Sequence, residues 1–246
     1  MQKRQLQSNP SAGKLAKSKA DIARSEKPAL SATEQGRLND ELIRIIDDSF
    51  KADAKKAEEA ERLVKAGADI AAKTPANWTT LQIASAYGDI ETCALIIRKY
   101  AESHRSIKDL IGAKADGDDT ALHEAADHGH TKTCALLIKE YAKAGGNAKE
   151  LITAKNEYED TPLHKAALTG NTETCILLIK EYAKAGGDVT NLIYAEDYKG
   201  KIPVQSAIEW SKTETKQFLE SIEKLSAAMG KETFNSFMKF YSECLA

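Results

Sequence analysis

The chain has 246 residues, 42% of them hydrophobic and 29% charged, enough apolar material for a substantial buried core. A formal charge of -2 argues against a generic polyanion binder, so no nucleic-acid partner is expected, and no apolar run approaches the ~18 residues of a membrane span. Nothing hydrophobic follows Lys3 and Arg4 as a secretory leader requires, so the expectation is folding in a cytosol.

The charge is regional. Residues 1 to 37 hold eight Lys or Arg against Asp21, Glu26 and Glu34, which makes that stretch +5 and the rest -7. Residues 1–36 are polar, carry Pro10 and Pro28, and offer only Leu6, Leu15, Ile22 and Leu30 as large apolar groups, too few to offset ordering entropy. They read as a basic disordered tail with a transient helix over Ala12 to Arg24. A solvated leader and a basic arm for an anionic surface or a partner both remain open. From Leu38 the texture changes: Leu38, Leu42, Ile45, Ile46 and Phe50 share a helical face, a second helix runs from Ala54 to Ala66, and Gly67-Ala68-Asp69-Ile70 closes the pair.

Four stretches then align without a gap, from Ala72, Ala113, Ala154 and Ala195. Leu81, Leu122, Leu163 and Val204 stand 41 residues apart, as do Ala84, Ala125, Ala166 and Ala207, and Cys93, Cys134 and Cys175 keep the same step. The clearest copy is Thr161-Pro162-Leu163-His164-Lys165-Ala166-Ala167-Leu168-Thr169-Gly170, and the fourth has drifted to Ile202-Pro203-Val204-Gln205-Ser206-Ala207. Thr-Pro-Leu-His-x-Ala followed by Gly resembles the ankyrin repeat, a turn plus two antiparallel helices that stack on their neighbours. The resemblance implies an all-α solenoid of helix-turn-helix units with long loops and capping helices at both ends. Its expected boundaries are a capping repeat over 37–73, repeats over 74–114, 115–155 and 156–196, and a degenerate repeat with capping helices over 197–246. The capping repeat's outer face is expected to be polar, in keeping with Lys55-Lys56-Ala57-Glu58-Glu59.

The family period is about 33 residues, so each unit here must place 8 more. Four lengthen the second helix by about one turn, as in Cys175 to Gly186, and four enlarge the following loop. Each loop carries an apolar pair, Leu110-Ile111, Leu151-Ile152 or Leu192-Ile193, expected to pack against other loops or beneath the longer helices. Thr79, Thr120 and Thr161 are expected to cap the first helices, with Thr80, Ala121 or Pro162 at the first helical position. The three repeated cysteines occupy a position the family gives to a buried Val, and they lack metal-ligand spacing, so they read as reduced core residues. Beyond Ser211, helices are expected from Glu214 to Met229 and from Thr233 to Leu245. The second carries Phe234, Phe237, Met238, Phe240 and Tyr241, either as a cover for the end of the stack or as an exposed docking helix.

No phosphate loop, His-Glu-x-x-His or Gly-x-Ser-x-Gly stretch occurs. His123 and His164 fall at the family's recurrent His, replaced by Gln82 and Gln205 in the outer copies, and are expected to bond across repeats. Asp127-His128-Gly129-His130 and Asp116-Gly117-Asp118-Asp119 read as turns and not as metal sites, so neither a metal nor a cofactor is expected. The resemblance implies binding through the turn tips and the exposed side of the first helices. Carried over position by position, the candidates are Trp78, Tyr87, Asp118, Asp119, Glu124, Asp127, His128, Tyr158, Glu159, Asp160, Lys165, Tyr198 and Trp210. Carboxylates beside aromatic rings suit a basic peptide or a basic protein surface, although acidic tips also serve plain solubility. The expected function is a monomeric, non-enzymatic scaffold in the cytoplasm. A looser resemblance in repeat style points to ankyrin proteins that intracellular bacteria deliver into host cells, where the partner would be a host protein. An enzyme using the C-terminal segment is the third alternative.

Overall fold

The computed structural model describes residues 30–48 and 53–244, so the expected helix over Ala12 to Arg24 and the core role of Phe50 lie outside the described residues. Within them the chain forms fourteen helices, with no strand beyond one antiparallel bridge between Lys73 and Thr79. An N-terminal pair, α1 (Ala32–Ile46) and α2 (Asp53–Ala66), precedes four units. These are α3 (Thr80–Ala86), α4 (Ile90–Glu102) and α5 (Ile107–Ile111); α6 (Ala121–Asp127), α7 (Thr131–Lys143) and α8 (Ala148–Ile152); α9 (Pro162–Thr169), α10 (Thr172–Lys184) and α11 (Val189–Ile193); and α12 (Pro203–Glu209), α13 (Thr213–Met229) and α14 (Lys231–Cys244). First helices begin at 80, 121, 162 and 203, second helices at 90, 131, 172 and 213, so the step read from the sequence is also the step of the solid.

Two helical layers result. The first helices α3, α6, α9 and α12 pack in succession, and the second helices α4, α7, α10 and α13 form the other layer. Close approach in the first layer is possible because Ala84, Ala125, Ala166 and Ala207 are fully buried and present only a methyl group. Leu81, Leu122, Leu163 and the three cysteines are also fully buried, and burial pushes each thiol up to about 12. Such thiols behave as small apolar side chains. The N-terminal pair extends both layers, α1 against α3 and α2 against α4. Its polar strip has one exception, for Lys56 is only 2% exposed and places its ammonium 5.0 Å from the Tyr87 ring centre.

The enlarged loops are largely helical. Each forms a five-residue helix, α5, α8 or α11, capped by Ser106, Asn147 or Asp188, and its apolar pair is buried between consecutive second helices. The entry to these helices explains a paired glycine. Gly145 has φ +79°, and a methyl group on Gly146 would lie 2.3 Å from the Tyr141 ring. The first copy has His104 and Arg105 there, and its Arg105 guanidinium stacks 4.3 Å from the Tyr100 ring centre and pairs with Asp69 at 2.8 Å.

The C-terminal helix starts where a fourth short helix would, 42 residues after α11 begins, but runs for 14 residues and folds back on α10, α11 and α13. Phe234 and Met238 are buried, whereas Phe237, Phe240 and Tyr241 stay exposed, so the cover and the exposed face expected as alternatives are two sides of one helix. Asp188, the cap of α11, pins it: Oδ1 accepts from Asn235 Nδ2 at 2.7 Å and Oδ2 pairs with Lys231 at 2.5 Å.

Candidate protein-binding face

The turn tips are tied into a row before any partner arrives. Asn77, Asp118, Glu159 and Gly200 hold the same left-handed turn, with φ of 60°, 63°, 58° and 72°. Backbone N–H groups of Asp116, Glu157 and Tyr198 donate to the carbonyls of Ala76, Gly117 and Tyr158 on the preceding tip. A second row lies beneath. Gln82 Oε1 accepts from Thr79 N–H at 2.7 Å while its Nε2 donates to Asp119 O at 2.8 Å. His123 and His164 repeat the pattern, with Nδ1 accepting from Thr120 or Thr161 N–H and Nε2–H donating to Asp160 O or Lys201 O, each at 3.1 Å. Accepting at Nδ1 fixes both rings as neutral Nε2–H tautomers, and burial lowers the pKa of both, that of His123 to about 4.

This framework divides the candidates. Asp118 and Glu159 are paired with Lys114 and Lys155 of their own tips, at 3.0 and 2.8 Å, and each lysine also donates to a carbonyl of the next unit. Asp119 accepts from Asn156 Nδ2 at 2.9 Å. Tyr87 donates to Asp47 at 3.0 Å and lies under Lys56, so it secures the N-terminal pair. Trp78 is half-buried against the core, and the exposed His128 bonds Glu124 O and stacks on His130. Lys114, Lys155 and Asn156 escaped the sequence reading; only the 41-residue recurrence of Lys and Asp or Glu, four apart, signalled the first two.

The remaining candidates cluster toward the C-terminal half. Lys165 sits within 3.7 Å of Asp119 and 3.8 Å of Asp127. Burial opposes its charge, but Asp119, Asp127, Glu124 and Asp160 together hold its pKa above the usual lysine value. Glu124, expected to line the surface, is instead 7% exposed, and burial followed by Asp119 pushes its carboxyl up to about 7. Asp160 is pushed up to about 6, burial again coming first. One lysine therefore serves four carboxylates. Tyr158, Tyr198 and Trp210 stand exposed beside them, the two Tyr rings 5.8 Å apart. Among the described residues no group of three or more His, Cys, Asp or Glu could hold a metal ion, and no helix is long and apolar enough to cross a membrane.

Paired helices stacked at a constant step, with a row of turn tips along one edge, define a repeat solenoid that serves as a protein–protein interaction module. Family models described as ankyrin repeats in three copies and in many copies match residues 50–149 and 122–179, and the chain belongs to the ankyrin repeat family. No curated protein matches it.

Proposed function

We propose that the chain is a non-enzymatic scaffold that binds a basic segment of a partner protein along the first helices and tips of its last three units. The observation that supports this reading is the carboxylate excess around Lys165 beside exposed Tyr158, Tyr198 and Trp210. Charge complementarity of this kind raises association rates and orients a basic partner, and Tyr and Trp are the residue types that dominate binding energy at interfaces. The units over 74–114, 115–155 and 156–196, with the degenerate one over 197–246, form one continuous monomeric binding surface working in the cytoplasm. A delivered protein acting on a host target would use the same face and differ in the origin of what it captures. The test is affinity capture with Asp116, Asp127, Glu157 and Asp160 all changed to Lys, against a control in which Lys139, Lys143 and Lys184 on the second helices become Glu. Loss of the captured protein in the first variant alone is expected. Equal capture by both folded variants would remove this face from consideration.

A further inference from the structure

Between the third and fourth tips lies a recess of about 260 Å³ lined by Tyr158, Tyr198, Trp210, Asp160, Asp197 and Glu209, among others. The two tyrosines are not part of the repeating pattern: the earlier units hold Ala76 and Gly117 at the position of Tyr158 and Pro75, Asp116 and Glu157 at that of Tyr198, while the position of Trp210 holds Tyr87, His128 and Thr169. Stacking of the units therefore does not require them, and the three rings remain 50%, 57% and 61% exposed. Tyr158 and Tyr198 meet at a tilt of 53°, and Lys199 places its ammonium 5.0 Å from the centre of Tyr198, so this ring already takes a cation. The carboxylates differ in their commitments. Asp197 accepts from the backbone N–H groups of Lys199 and Lys201 at 2.8 Å each, and Glu209 pairs with Lys201. Asp160 makes no side-chain hydrogen bond and no ion pair within 4 Å among the described residues. Burial is the main reason its carboxyl rises to about 6; Lys165 opposes this and Asp197, Asp119 and Asp127 add to it.

We infer that this recess is a slot for one arginine side chain of the bound partner, with its guanidinium stacked among Tyr158, Tyr198 and Trp210 and paired with the Asp160 carboxylate. The inference rests on the binding face proposed above and narrows the partner's chemistry. A planar guanidinium suits the slot better than an ammonium because it stacks on aromatic faces while its edge donates two parallel hydrogen bonds to a carboxylate. The charge count agrees, since the recess lining holds Asp160, Asp197 and Glu209 against Lys199 and Lys201, one carboxylate in excess, and Asp160 is the one with no hydrogen bond or ion pair within 4 Å at its side chain among the described residues.

The test titrates the full chain with the peptide acetyl-Gly-Arg-Gly-amide and with its citrulline and lysine counterparts, following the two indole N–H signals by NMR. A Trp78→Phe variant assigns them. The arginine peptide is expected to shift the Trp210 signal saturably in the millimolar range. The uncharged citrulline peptide should bind about tenfold or more weakly, and the lysine peptide more weakly than arginine. Asp160→Asn and Tyr198→Ala should each weaken the arginine peptide about fivefold or more without lowering the unfolding midpoint, while Tyr87→Ala leaves peptide binding unaltered. An unmoved Trp210 signal, or equal shifts from arginine and citrulline, overturns the slot. A partner still captured through the face under those results would leave the broader reading standing, whereas capture insensitive to the face charges would remove that reading by itself.

Discussion

His123 offers the sharpest test of how the units are joined, because Gln82 performs the same task one unit earlier. The ring is fully buried, accepts from Thr120 N–H at 3.2 Å and donates to Asp160 O at 3.1 Å. His123→Ala strands that donor and that carbonyl and leaves a cavity, at a combined cost of about 2 to 5 kcal/mol. His123→Gln should restore both bonds, as Gln82 makes them, and stay within about 1 kcal/mol of the parent at pH 7. The two should part from the parent again in acid. Burial pushes the folded ring's pKa down to about 4, against about 6.5 for an unperturbed histidine. Over that interval the unfolded chain binds more protons, so stability is complete above 6.5 and drains away as pH falls toward 4. At about 1.4 kcal/mol per pH unit the full difference amounts to about 3 kcal/mol. Glu124 and Asp160, whose folded values are raised to about 7 and about 6, act in the opposite sense, so the His123→Gln minus parent difference is the quantity to read. Urea unfolding midpoints at pH 7 and pH 4.5 supply it. The variant should be close to the parent at pH 7 and lose less on acidification. A glutamine variant as unstable as the alanine one, or one that keeps the parent's whole acid response, would refute the bridging role.

Gly129→Ala should lower stability by about 1 to 3 kcal/mol in the same assay, since φ is +71° and the new methyl would meet Asn171 Oδ1 at 2.5 Å. Leu163→Ala should remove about 2 to 5 kcal/mol, as expected of a side chain with no exposed surface. Cys93, Cys134 and Cys175 should resist iodoacetamide in the native protein at pH 8 and react fully in 6 M guanidinium chloride, which peptide mass mapping resolves. Asp188→Ala should release α14 specifically, seen as faster hydrogen exchange over residues 231–244 with α7 unchanged.

The helical register was legible because it is written in side chains that have no alternative place: Leu163, Ala166 and Cys175 recur at positions that only stacking buries. The cap at Thr79 and the bridging rings of His123 and His164 followed from the same recurrence, whereas the hydroxyls of Thr120 and Thr161, at the same helix entry, lie 2.9 Å from the Nδ1 atoms of His123 and His164 instead of capping the helix. The short helices α5, α8 and α11 were hidden because five residues hold too little periodicity to distinguish a helix from a packed loop. At the tips, residue type misled in one respect. Asp118 and Glu159 look like free acids in sequence, yet the left-handed turn brings each to the lysine four residues before it. Glu124 shows the converse, a charged residue on a short helix whose neighbours close over it. Which carboxylates stay uncommitted depends on distances between units 41 residues apart, and no local pattern reports them.

The most direct measurement is site-specific photo-crosslinking from the intact chain, with a photoreactive amino acid at Tyr198 or Trp210 on the proposed face, or at Ile176 on the second-helix layer, each exposed. Crosslinks to the same partner from 198 and 210 but not from 176, mapping to peptides that contain arginine, are the predicted result. A partner joined through 176 and not through 198 or 210 would contradict the account.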